Sequence, residues 1–122
     1  MEQVQKCWEY NGQQYVLDLD DANDLARYEA AFQEMQLAEK AIPKDGPASE
    51  FVKAYCTMYI SLFESLFGPG TAEQIVGGTT NSRLCEEAYD SLLDYAYAQK
   101  NATVKRRNTM KAKYAPIGRR GN

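Results

Sequence analysis

The chain has 122 residues, enough for one hydrophobic core but not two. Its hydrophobic fraction of 44% and charged fraction of 25% are those of an ordinary folded domain, and they exclude collagen, low-complexity repeats and wholesale disorder. The net charge of −3 conceals a division, because residues 1–103 carry a net of −10 and residues 104–122 carry +7. An acidic body of that kind repels a nucleic-acid backbone, so any such contact falls to the C-terminal segment.

The first element predicted is a β-hairpin. "KCWEY" and "QQYVLDL" are rich in aromatic and β-branched residues and flank "NG", the strongest short hairpin signal. Period-two alternation places Trp8, Tyr10, Tyr15 and Leu17 on one apolar face and Cys7 and Val16 on the other. A lone hairpin is marginal in water, so this one is expected to pack on helices or pair with another chain.

A helix is predicted next, from about Asp20 to Ile42, capped by Asp20 or Asp21, with Leu25, Tyr28, Phe32, Met35 and Ile42 as its apolar stripe. "PKDGPAS" reads as a loop. The second helix, about Ala48 to Phe67, is apolar on more than one side and is expected at the centre of the domain. "GPG" stops it, a short helix spans about Thr71 to Val76, and "GGTTNS" leads into a third long helix over about Ser82 to Gln99. Asn81 or Ser82 caps that helix, and Leu84, Cys85, Ala88, Tyr89, Leu92, Leu93 and Ala96 are its buried positions. Beyond Asn101 the apolar pattern fails. The reading is therefore a mainly α (α+β) fold, with an N-terminal β-hairpin, three main helices and a short extra one. Residues 1–101 form a single helical domain and residues 102–122 a flexible, disordered basic tail.

Few residues point to chemistry. The chain has no histidine, which removes imidazole from every mechanism. The three cysteines, Cys7, Cys56 and Cys85, are widely spaced without a CxxC pair, so a zinc site is not expected. Cys56 and Cys85 fall on apolar helical faces, where a small hydrophobe fits. The acidic run "DLDDANDLARYE" lacks the glycine and the closing glutamate of a calcium loop and reads instead as a helix start. "FGPGTAEQIVGG" lacks the lysine ending and the strand–helix setting of a phosphate loop, and reads as a helix–helix connection. Most of the nine tyrosines fall on buried faces, and Tyr10, Tyr97 and Tyr114 are those expected to stay exposed. The chain reads as a non-enzyme without cofactor or metal. No segment is apolar enough to span a membrane or to serve as a secretory leader, so a cytoplasmic protein is expected.

Several stretches together resemble a known group. "CWEYNGQQYVLDLDDANDLARYEAAFQEM", "ASEFVKAYCTMYISLFESLFGPGTAEQIVGG" and a closing "KYAP" with a later "RR" resemble the tail assembly chaperones of long-tailed phages and prophages of Gram-positive bacteria. The "YNGxxYxL" opening is matched by Tyr10, Asn11, Gly12, Tyr15 and Leu17 after the hydrophobic Trp8, and "LFGxGTAxxIxGG" by Leu66 to Gly78. The closing segment keeps Arg119 and Arg120 but departs from the group at Ile117 and Gly118. The resemblance implies a helical, non-enzymatic protein of the host cytoplasm that transiently coats the tape measure protein before tube subunits polymerise around it. Its implied partners are the tape measure protein, the tail tube protein and further copies of itself.

The residues expected to meet a partner are Trp8, Tyr10 and Tyr15 on the hairpin, with Arg106, Arg107, Tyr114, Arg119 and Arg120 in the tail. Two other functions compete. One is a structural tail or head-completion protein retained in the virion. The other is a small nucleic-acid-binding regulator acting through the basic tail, which the acidic body disfavours.

Overall fold

The computed structural model describes the backbone of residues 6–118 and the side chains of residues 6–113. Strands β1 (Cys7–Tyr10) and β2 (Gln13–Val16) form an antiparallel hairpin in which Trp8 lies opposite Tyr15 and Tyr10 opposite Gln13. Asn11 at φ 51° and Gly12 at φ 76° make the tight turn. These are the two positive φ angles that an Asn-Gly pair adopts at least cost.

Helix α1 (Ala22–Lys40) starts on Asp21, whose Oδ1 accepts hydrogen bonds from the Asn23 and Asp24 amides at 2.8 and 3.3 Å. Helix α2 (Ala48–Phe67) packs against α1, α3 and α4, the central position its all-round apolarity requires. It ends at Gly68, whose φ of 107° suits no residue with a Cβ, and Gly70 then reverses the chain into the short α3 (Thr71–Val76). Helix α4 begins at Ser82 with Asn81 Oδ1 accepting from the Arg83 amide at 2.9 Å.

The core is aromatic at the hairpin end. The Trp8 indole lies between the rings of Tyr10, Phe63 and Phe67, with centroids 5.2, 6.0 and 5.8 Å away, and its Nε1 donates to Ser91 Oγ at 3.0 Å. Leu17, Leu62, Leu66, Ile75 and Leu92 continue it beneath the helices, with Cys56 and Cys85 side by side among them. Burial pushes the Cys85 thiol up to about 12, with Cys56 as a lesser cause, so it stays protonated and packs as a small apolar group.

One expectation about the fold is overturned. Residues 102–118 are not a disordered tail. Helix α4 runs unbroken from Ser82 to Gly118, about 55 Å at the usual rise, so nearly half of it projects past the body as a basic arm. The apolar stripe that marks a packed helix does stop near Asn101. The segment beyond Asn101 is rich in Lys, Arg and Ala, all strong helix formers, with no proline before Pro116. Two contacts then fasten the arm's root. Arg106 forks onto Asp20 with N···O distances of 3.0 and 3.2 Å, and Thr103 Oγ1 donates to Asp20 Oδ1 at 2.6 Å. Asp20 is therefore the anchor of the arm, and Asp21 is the cap.

Candidate protein-binding surfaces

The hairpin directs its two large aromatic rings inward. Trp8 is 2% exposed and Tyr15 5%, so neither reaches a partner as the sequence suggests. The alternation predicts their face correctly, but α2, α3 and α4 of the same chain cover it. Tyr15 Oη meets Gln74 Oε1 at 3.3 Å, and Asn11 Nδ2 donates to the Ile75 carbonyl at 2.8 Å, which ties the hairpin to α3. Tyr10 is half-buried against Trp8. Burial holds its phenol above the ordinary value, aided by the charge of Glu87.

The hairpin presents main chain outward instead. The Leu17 amide bonds the Lys6 carbonyl at 2.9 Å, which sets the ladder phase. Trp8–Tyr15 is accordingly a hydrogen-bonded pair, while the N–H and C=O groups of Gln14 and Val16 point away from β1. With two strands in the sheet, β2 is an open edge among the described residues. A groove of about 630 Å³ runs beside it, walled by Gln14, Val16, Arg27, Phe67, Thr71 and Gln74. Arg27 is held there by its Nε bond to the Leu66 carbonyl at 2.7 Å and by Asp24 at 3.0 Å. The Asp24 carboxyl is drawn below the usual range by the Asp18 amide first and Arg27 second.

A second depression lies between the C-terminal half of α1 and the flank of α2. It holds about 370 Å³ and is lined by Ala38, Ile42, Ala54, Thr57, Met58 and Ser61. Small side chains at i, i+3 and i+7 of α2 keep its floor low, which lets another helix approach closely. Lys53 and Glu50 stand at its margin, 3.7 Å apart, and Phe51, 45% exposed, stands one turn away on the same helix. No signal in the sequence isolates this trough, because its walls come from helices whose pairing is a tertiary fact. Its small residues are still visible there as the polar and alanine positions of an otherwise apolar helix.

The arm gathers the predicted cations unevenly. Arg106 is engaged by Asp20, whose carboxyl is lowered by the Arg106 bond first and by Thr103 next. Arg107 is exposed. The backbone at Tyr114 is helical, its side chain lies outside the described residues, and so do Arg119 and Arg120. A residue that the sequence does not single out joins arm to body. Gln99 is buried, its Oε1 accepting from the Leu19 amide at 2.7 Å and its Nε2 donating to the Leu17 carbonyl at 3.0 Å. Tyr95 Oη bonds the same carbonyl at 2.6 Å.

The aspartates of the acidic run are all used in structure. Asp18 Oδ1 accepts from the Asp20 amide, Asp24 Oδ2 accepts from the Asp18 amide, Asp20 anchors the arm and Asp21 caps α1. Among the described residues no cluster of cysteine and acidic side chains gathers to hold a metal ion, and no helix is long and apolar enough to cross a membrane.

Residues 11–121 match a protein family described as "Family of unknown function (DUF6673)". Neither the curated proteins nor the solved structures hold a match. The matched region spans most of the chain, and the chain belongs to this family.

Proposed function

We propose that this member of the DUF6673 family is a non-enzymatic binding protein that coats a long helical chain, acting as a phage tail assembly chaperone on the tape measure protein. The observation that carries the reading is the trough between α1 and α2, floored by Ala54, Thr57 and Ser61. A tape measure protein is a long helix with apolar stripes that aggregates when uncovered. A shallow trough with small residues at helical spacing accepts such a stripe in the helix-in-groove manner, with modest burial and ready release. The tail tube protein is the second partner and the host cytoplasm the place of action in this reading. The resemblance in the hairpin and in the Leu66–Gly78 segment supports the same assignment.

Co-expression with the tape measure protein of the same phage tests it. Soluble co-purification of the two is expected, and a tape measure protein that stays insoluble and separate overturns the reading. Thr57→Arg with Ser61→Arg fills the trough from two exposed positions and is expected to abolish co-purification while leaving the helical signal intact. Purified virions analysed by mass spectrometry separate this function from a structural one, since a chaperone is absent from them.

A further inference from the structure

The outer face of α4 carries a pattern that neither half of the helix explains alone. Glu86, Asp90, Leu93, Tyr97, Lys100, Val104, Arg107 and Lys111 succeed one another at alternating four- and three-residue steps. That spacing lines up one face along the helix, and five of its eight positions are charged. Body and solvent divide it plainly. Glu86 and Leu93 are half-buried, with Glu86 hydrogen-bonded to Tyr55, while Asp90, Tyr97, Lys100, Val104, Arg107 and Lys111 are exposed. Tyr97 and Val104, at 60% and 52%, are among the most exposed large apolar side chains of the molecule.

The order of charge along this face is antisymmetric. Acids occupy its N-terminal end, cations its C-terminal end, and apolar groups lie between them. Within one chain the two ends cannot meet, because 25 residues of straight helix separate Glu86 from Lys111, about 38 Å. Across a twofold axis they meet in full. With the axis between Ala98 and Gln99, an antiparallel second α4 sets Glu86 against Lys111, Asp90 against Arg107, Leu93 against Val104 and Tyr97 against Lys100. Each pair recurs on the other side of the axis. The ion pairs and the Tyr–Lys pair are of favourable sign, and the Leu–Val layers are apolar. A parallel pairing would instead set acid against acid and cation against cation.

We propose that α4 is a homodimerisation helix that pairs antiparallel with the α4 of a second copy, the basic arm of each lying along the acidic first half of the other. The inference rests on charge order and spacing along this one helix and is independent of the tape measure reading. It also gives the arm an occupant. Its cations are met by a copy of the chain rather than by nucleic acid, as the acidic body requires.

Sedimentation equilibrium on the full chain at about 100 μM and low salt tests it, and a dimer that dissociates as salt rises is expected. Asp90→Arg and Arg107→Asp each set like charges face to face and should raise the dissociation constant at least about tenfold. The double swap restores the opposite pair and should return it to near the unsubstituted value. A zero-length carbodiimide should join Glu86 to Lys111, a link that the distance within one chain forbids. A monomer under these conditions, indifference to both single reversals, or crosslinks that avoid this pair overturns the proposal. A monomer whose arm retains DNA in a salt-dependent manner overturns it in favour of a nucleic-acid partner. All the substituted positions are exposed, and the crosslink requires no variant at all.

Discussion

The two halves of α4 are one continuous helix with two different reasons to exist. Residues 82–99 are helical because Cys85, Ala88, Leu92, Ala96 and Gln99 are buried along one side. Residues 100–113 bury little, and this half of the helix forms through intrinsic propensity and the anchor at Asp20. Helical structure of the second sort is local and weakly coupled to global stability. The same hydrogen-bonded ladder thus passes from a region that unfolds only with the domain to one that can fray alone.

The largest effect should come from the packed half. Leu92→Ala leaves a cavity at the centre of the core and is expected to cost about 2–5 kcal/mol, read by urea denaturation as one cooperative transition. At the boundary, Gln99→Ala strips the Leu19 amide of its partner and should cost about 1–3 kcal/mol. Lys105→Pro sits beyond that boundary. It should lower the far-ultraviolet helical signal while reducing the unfolding free energy far less than Leu92→Ala does. A large loss of global stability from this substitution would erase the distinction between the halves.

The smallest effect is electrostatic and sharpens the picture at the arm's root. Asp20 has its pKa lowered in the folded state, so its contribution is present above the ordinary carboxylate value near about 4 and is lost as pH falls through the lowered one. Carboxyl chemical shifts should show Asp20 titrating below that ordinary value in the parent and higher, nearer to it, in Arg106→Ala, where the Thr103 bond remains. Equal titration in both would remove Arg106 as the cause.

Much of the fold is legible in the sequence because the chain announces packing and turns locally. The Asn11-Gly12 turn, the limits of α2 and α3 and the Asn81 cap arise from residue types with one structural use. The arm is missed because periodicity reports burial rather than helicity, and an exposed Lys/Arg/Ala helix has no stripe to find. Trp8 and Tyr15 show the same limit at the site. Alternation says which face is apolar, not whether this chain or another covers it, and α2, α3 and α4 cover it here. The trough and the Asp20–Arg106 pair join segments far apart in sequence, where no local pattern reaches.

Gln99 has a mechanical consequence. Its amide grips both Leu17 and Leu19, the residues that lead from the open β2 edge into α1, and it does so where the arm leaves the body. Lys111 lies twelve residues further on, about 18 Å along a stiff rod. Load applied at the tip reaches Asp20 first, through Arg106 and Thr103, and then Gln99, so it falls on the segment between the hairpin and α1. The arm is a lever whose fulcrum spans Asp20 and Gln99, and a pull on its far end bears on the residues that lead out of the hairpin.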